Sequence, residues 1–357
     1  MDTVEDYFRQ LPDGLLESNV KQKLVSSLIR NKIFSSGKFQ GYYVVAVDAT
    51  GIASFSEPHC DCCLSKTYKS GKTSYFHNVL EAKLLTPSGF SVSLATEWIS
   101  NEGKAGYQKQ DCEQEAFKRL SIQLKKAFPR LPIIIVADGL YPTAPFFNIC
   151  IQNGWKFIVT LQDGSLTTLQ EDICWEKRFN TGFQREVILT DKNSRTTRKY
   201  YCLKGLNYQG IALSWVECSE STRWLKSDQE KRQRFVHLTN LSVDGDLCIG
   251  VSNNGRLRQK IENEGLNCQK NQGFALEHKY SRVSFLAMKN YYQCLQIAHL
   301  IIQLVEASHT FQAMLNQDSK TTVKHLWKRL LSYLLEKRVI PKELIVLLEK
   351  PYQIRLI

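Results

Sequence analysis

Asp48 in VVAVDATG, Asp138 in PIIIVADG and Glu262 in RLRQKIENEG are three acids in settings that suit divalent-metal chemistry. Two ions acting on a phosphodiester must stand about 3.5 to 4 Å apart to hold the attacking and leaving oxygens, so their carboxylates have to be fixed in place. Ends of buried strands meet that demand better than loops do. Hard carboxylate oxygens suit Mg²⁺ or Mn²⁺. Each acid also has a plainer reading. Asp48 reads as a turn aspartate capping a strand and Asp138 as an Asp-Gly turn. Glu262 reads as an exposed helix glutamate paired with Arg258, four residues earlier. Taken together the two aspartates resist the plainer reading, because an unpaired carboxylate at the end of a near-continuous apolar strand is costly without a cation.

The elements that must position these acids are legible as periodicities. YYVVAVD, rich in β-branched and aromatic residues, and IIIVA read as buried strands, with two further strands near 74–86 and 90–98 and another at GWKFIVTL. Phe117, Leu120, Leu124 and Phe128 recur at helical spacing over about 108–128, closed by Pro129 and Pro132, and a helix follows near 142–153. This order predicts a mixed α/β sheet with helices on its faces. Four segments are expected: an N-terminal helical piece at 1–38, a catalytic domain made of 39–163 and 241–284, a β-rich insertion at 164–240, and C-terminal helices at 285–357. Helices are expected near 254–272, 285–316, 320–338 and 342–350.

Wound at about 100° per residue, a continuous helix over 254–272 groups Leu257, Ile261 and Cys268 and sets Arg258, Glu262 and Gln269 along the border of that apolar face. Gly265 lies in the same stripe, where close approach of another backbone would explain a glycine inside a helix. Glu264 points into the apolar face and is the alternative third acid.

With 357 residues and 43% hydrophobic content the chain can bury a proper core, and a formal charge of +12 with a pI near 9.1 favours a polyanionic partner. No apolar run approaches the roughly 18 residues of a membrane span, and the N-terminus lacks the apolar stretch of a secretory signal. Eleven cysteines without a framework read as reduced thiols, which predicts a cytoplasmic protein without membrane partners.

With these residues in view, the chain resembles the DDE transposases of bacterial insertion sequences, in the group with a β-rich insertion and a Tyr, Arg, Glu, Lys signature around the third acid. The resemblance runs from about residue 40 to 280. It is carried by VAVDATG, KQDCEQEAFKRL, IIIVADGLY with GWKFIV, FVHLTN, and RLRQKIENEGLNCQKNQG. It implies a ribonuclease H-like fold, Asp48, Asp138 and Glu262 as catalytic metal ligands, and Arg258 as the signature arginine. It also implies DNA-binding roles at Gln269 and Lys270, transposon-end and target DNA as partners, and a homodimer on DNA. Gly255 stands where the family has tyrosine, and Gln269, with Lys270 beside it, where lysine is expected. Relatives carry more sequence ahead of the first catalytic strand, so a shortened copy is expected. The reaction implied is hydrolysis at the transposon end and attack of the freed 3′ hydroxyl on target DNA. A stand-alone metal-dependent nuclease and a remnant that only binds DNA are the alternatives.

Two further constellations stand apart. Cys60 and Cys63, spaced C-x-x-C, with His77, and with His59 and Cys62 alongside, could hold a structural Zn²⁺; reduced loop thiols are the alternative. TVKHLWKRLLSYLLEKR combines an apolar stripe (Val323, Trp327, Leu330, Leu334) with Lys324, Lys328, Arg329, Lys337 and Arg338, and reads as a surface helix with a solvated basic face. In the insertion, Arg195, Arg198, Lys199, Arg223, Trp224, Lys231, Arg232 and Arg234 have the composition of a DNA grip.

Overall fold

Alternating and continuous apolar runs become strands, and runs with a helical repeat become helices, in an order that gathers the middle of the chain into one sheet. The structure, a computed structural model, describes residues 3–336 apart from 59, 102–109, 180–181, 228, 279, 282 and 317–320, and beyond 336 only 340, 342, 345 and 346. It divides into two compact units, Met1–Gln296 and Ile297–Ile357.

The first unit opens with α1 (Thr3–Gln10), a π-helical turn (Leu16–Lys21) and α2 (Gln22–Arg30). There follow β1 (Tyr43–Phe55), β2 (Leu64–Thr67), β3 (Thr73–Leu85), β4 (Ser91–Ile99), α3 (Glu113–Ala127), β5 (Ile133–Ala137), α4 (Ala144–Gln152) and β6 (Lys156–Thr160). Next come α5 (Thr167–Phe179), β7 (Phe183–Thr190), β8 (Ser194–Tyr208), β9 (Ile211–Trp224) and β10 (Glu230–Thr239). Then α6 (Leu247–Arg256), a second π-helical turn (Ile261–Leu266) and α7 (Asn267–Asn271) lead to α8 (Phe285–Glu306), whose first half belongs to this unit. The second unit holds the rest of α8 with α9 (His309–Asn316) and α10 (Val323–Glu336), where the Trp327 indole donates to Glu306 at 2.7 Å.

The result is a mixed α/β architecture on one ten-stranded sheet, antiparallel except at its centre. There β1 runs parallel to β5, and β5 parallel to β6. Strand β3 lies antiparallel on the other side of β1, with β2 and β4 on its outer edge. Side chains alternate between the faces. Val44, Ile134, Val136 and Ile158 pack with Cys248 and Val251 of α6, while Phe157 turns the other way and stacks on Phe147 of α4 at 4.9 Å. Phe117 of α3 meets Phe146 of α4, also at 4.9 Å, so helices cover both faces.

Several expectations change. The segment expected as a β-rich insertion, 164–240, begins with α5, and β10 pairs with β6, so β7 to β10 continue the central sheet. Backbone hydrogen bonds, invisible in a local pattern, decide that. The N-terminal 1–38 belongs to the first unit, where Asn290 of α8 donates to the carbonyls of Phe8 and Leu11 at 2.9 and 3.1 Å. The helix expected over 254–272 starts earlier, ends at Arg256, and resumes through the second π-helical turn. A hydrogen-bonding pattern one residue longer than the α repeat shifts the angular phase, so positions read from a continuous α-helical wheel do not carry through it. The helix expected over 285–316 is two, α8 and α9, and most of the one near 342–350 lies outside the described residues. On α10, Leu326 is buried while Val323 and Leu330 are exposed, so the apolar stripe is not the buried face; Lys337 and Arg338 lie outside the described residues.

Candidate active site

The parallel pairing of β1 with β5 matches Tyr43 to Ile133 and Ala46 to Val136, an offset of 90 residues (133 − 43). Asp48 follows the last pair by two residues inside β1, which continues to Phe55, so it lies within the strand rather than capping it as expected; Asp138 follows the end of β5 by one residue, and the two acids lie within electrostatic reach of each other. Two strands paired in register, from unrelated stretches of sequence, thus bring the two acids into electrostatic reach of each other. The apolar run of β5 ends at Ala137, where the chain turns: the Leu140 amide donates to Asp138 Oδ1 at 2.9 Å and the Tyr141 amide to the Asp138 carbonyl at 3.3 Å. The turn reading of Asp138 is therefore correct and compatible with a second role. The Gln162 side chain lies over Gly139, in the space a Cβ there would take.

Arg258, between α6 and the second π-helical turn, reaches across to Asp48, Nη1 to Oδ2 at 3.3 Å, rather than pairing with Glu262. Burial raises the Asp48 carboxyl to about 6, Asp138 and Glu262 push it the same way, and Arg258 opposes them. Asp48 is therefore within electrostatic reach of both other sequence-predicted acids. The bridging separation two ions require is narrower than this: among the described residues, the group whose ligand atoms all lie within 4.8 Å of one another is Cys60, Cys63 and His77. Glu262 is exposed on the π-helical turn, directly after Ile261, which is buried against Ala46 of β1. Glu264 is engaged elsewhere. It pairs with Lys260 at 2.7 Å, beside the β3–β4 turn, where Lys260 also donates to the Pro87 carbonyl at 3.2 Å.

A fourth acid joins the cluster. Glu113, the first residue of α3, accepts a 2.6 Å hydrogen bond from the buried Tyr141 hydroxyl. Burial raises its pKa, Asp138 and Asp48 add to the rise, and the Tyr141 hydrogen bond and Arg258 lower it. The Tyr141 phenol is itself pushed well up by burial and by Glu113, Asp138 and Asp48. Sequence reasoning missed both residues. An acid in the first turn of a helix is ordinary complementation of the helix dipole, and α3 has Glu115 there as well. The one local signal was the nearness of Tyr141 to Asp138.

Gly255 and Gln269, the two positions where the chain differs from the pattern it resembles, both face inward. Gly255 is buried in α6 against the His237 ring of β10, and any Cβ at this position would collide with it. Gln269 faces inward, not toward a DNA surface: fully buried, it exchanges a reciprocal amide pair with Gln296 of α8 at 2.9 and 3.0 Å, and the buried Lys83 ammonium donates to the same Gln296 oxygen at 2.9 Å. Its expected DNA contact is therefore corrected for this conformation. Lys270 is partly exposed and pairs with Glu277 at 2.8 Å. Gly265 does receive a close approach, from the Ser91 hydroxyl rather than a backbone, 2.7 Å from where its Cβ would stand.

The basic residues of β8 to β10 are partly neutralised within the sheet. Arg198 pairs with Glu220 at 2.6 Å, Arg234 with Glu217 at 2.7 Å, Arg232 with Glu230 at 3.1 Å and Lys199 with Glu186 at 3.6 Å. Arg195, Arg223 and Lys231 are exposed. Among the described residues no helix is long and apolar enough to cross a membrane. No protein-family model matches this chain, and no curated protein matches it.

Proposed function

We propose that this chain is a DDE-type DNA transposase of ribonuclease H-like architecture: a metal-dependent phosphodiester hydrolase and strand transferase that acts on transposon-end and target DNA. The observation that carries the reading is that Asp48 of β1 and Asp138, just past the end of the paired β5, lie within electrostatic reach of each other, with Glu262 acting on Asp48 and Glu113 acted on by both aspartates. The donor set fits Mg²⁺ or Mn²⁺. It offers hard carboxylate oxygens, and its negative charges face one nearby cation, Arg258, an excess that a divalent ion would relieve.

Asp48, Asp138 and Glu262 are the residues that would hold the metal. A divalent ion held there would supply Lewis-acid polarisation of the scissile phosphate and acidify the attacking water or 3′ hydroxyl. Arg258, held beside Asp48, carries a guanidinium whose fork would suit a phosphate of bound DNA. Glu113, fixed by Tyr141, holds the edge of the site and accepts protons from the attacking side. A homodimer on DNA is part of the proposal, since both transposon ends must be held together.

The inward-facing Gly255 and Gln269 favour a second reading, in which the chain cuts DNA or binds it without recognising a specific end. The test is cleavage of labelled DNA carrying the sequences that flank the gene, with Mg²⁺ or Mn²⁺, by wild type and by Asp138→Asn. Metal-dependent nicking at the ends, lost in the variant, supports the transposase. Nicking without end preference identifies a nuclease, and retained binding without nicking identifies a DNA-binding remnant.

A further inference from the structure

Outside the acidic cluster, Cys60, Cys63 and His77 bring three soft ligand atoms together where the loop after β1 meets β3. The two sulfurs stand 3.9 Å apart, and His77 Nε2 lies 3.5 Å from Cys60 Sγ and 3.4 Å from Cys63 Sγ. These distances separate the alternatives. A disulfide needs sulfurs at about 2.05 Å. A single thiol–imidazole contact would bring one sulfur to the nitrogen and leave the second unconstrained, whereas here both sulfurs are equally close to it. Tetrahedral Zn²⁺, with Zn–S near 2.3 Å and Zn–N near 2.0–2.1 Å, requires sulfurs about 3.8 Å apart and each S···N about 3.5 Å. All three separations agree with that geometry to within about 0.2 Å, the tolerance a metal site should meet.

The surroundings hold the ligands as a metal site requires. His77 is fully buried and its ring stacks on Phe285 at 4.4 Å and 18°, which sets its orientation before any ion arrives. The C-x-x-C turn is closed by the Cys63 amide donating to the Cys60 carbonyl at 3.2 Å. It is clamped from outside by the buried Asn101, whose backbone amide donates to the Cys62 carbonyl at 3.1 Å and whose side-chain amide donates to the Cys63 carbonyl at 2.9 Å. Two thiolates and an imidazole are also the donor set that favours zinc over the hard ions suited to carboxylates.

We propose that Cys60, Cys63 and His77 bind one structural Zn²⁺, with a fourth position outside these three ligands. On binding, both thiols lose their protons to solvent and the ion joins the β1–β2 loop to β3. The consequence reaches the acidic cluster through hydrogen bonds. Asn101 Oδ1 accepts from the Asp111 amide at 3.2 Å, and Gln110 clamps Ser65 of β2 through its amide and carbonyl at 2.7 and 2.9 Å. Three residues after Gln110, α3 begins at Glu113. The zinc thus anchors the stretch that delivers Glu113 to Asp138. The site stands independently of whether the chain cuts DNA.

The test uses the full chain, purified from zinc-supplemented medium without chelator, with bound metal measured by mass spectrometry and a Co²⁺-exchanged sample read by absorption. The expected result is about one zinc per chain and, with Co²⁺, a thiolate charge-transfer band together with the intense visible bands of tetrahedral coordination. Cys63→Ser and His77→Gln should lose the metal. Cys174→Ser, an exposed thiol distant in sequence, should keep it. If ligand variants do not fold, the wild-type stoichiometry and Co²⁺ spectrum still decide. A folded wild type that carries little zinc and gives an octahedral or thiolate-free Co²⁺ spectrum overturns the proposal, as does undiminished metal in folded Cys63→Ser.

Discussion

Asp138 occupies the centre of the candidate site: it raises the pKa of Asp48, of Glu113 and of Tyr141. In the proposed reaction Asp138 holds the metal, and Asp138→Asn should then lower metal-dependent nicking at least ~10³-fold, about 4 kcal/mol of barrier, with DNA binding retained in a mobility shift. Glu113→Gln removes one charge but keeps the hydrogen bond to Tyr141, and should cost roughly 10- to 100-fold in rate with little change in stability. An unchanged rate would remove Glu113 from the site. Gln269 gives the opposite kind of prediction. A lysine at this position, as the resemblance expects, would place a second ammonium beside Lys83, whose own pKa burial already lowers to about 8. Gln269→Lys should therefore destabilise by about 3 kcal/mol or more in urea unfolding, without gaining DNA affinity.

The segment from α6 to α7 shows why the third acid was the hardest to place. A wheel for one continuous α-helix put Glu262 and Gln269 in the same stripe, but the helix breaks after Arg256 and resumes with π-type hydrogen bonding, so Glu262 is exposed while Gln269 is buried. Arg258 sits at that break and reaches Asp48. The helix is pressed onto the sheet through Gly255, where β10 presents His237. Gly255→Tyr, which would complete the signature, should open α6 from β10 and cost 2–3 kcal/mol or more, as overpacking does. Thermal unfolding would read this as a clear drop in Tm, and a variant as stable as wild type would show that α6 can shift to make room.

Across the first unit, stability should depend on pH through His237, a buried imidazole whose pKa burial and the nearby Arg256 lower to about 4. The folded pKa lies below the unfolded value near 6.5, so the unfolded chain takes up the proton first as pH falls. The contribution is complete above about pH 6.5 and is lost progressively down to about 4, on the order of 3 kcal/mol in all. Denaturant midpoints measured between pH 7.5 and 4.5 should fall accordingly, and His237→Gln should flatten that slope; an identical slope in the variant would assign the acid sensitivity to carboxylates. One sheet runs from the outer edge of β3 to β7, so β8 to β10 extend the fold that carries the acids rather than forming an attached piece.

Local periodicity was enough to locate the apolar starts of β1 and β5 and to single out Asp48 and Asp138, because a buried strand is apolar and a charge within or just after it stands out; that β1 runs on past Asp48 to Phe55 was not legible there. It was also enough to pair Cys60 with Cys63 by spacing. The partners that give these residues their setting come from elsewhere in the chain. Asp48 meets Asp138 across 90 residues (138 − 48), Arg258 across 210 and Glu113 through Tyr141 across 28. His77 joins the cysteines because β3 passes their loop, and Gln269 is buried because α8 supplies Gln296. Strand register, the phase of a π-helical turn and the face on which a helix settles are set by pairings distant along the chain, which is why only the tertiary structure could decide them.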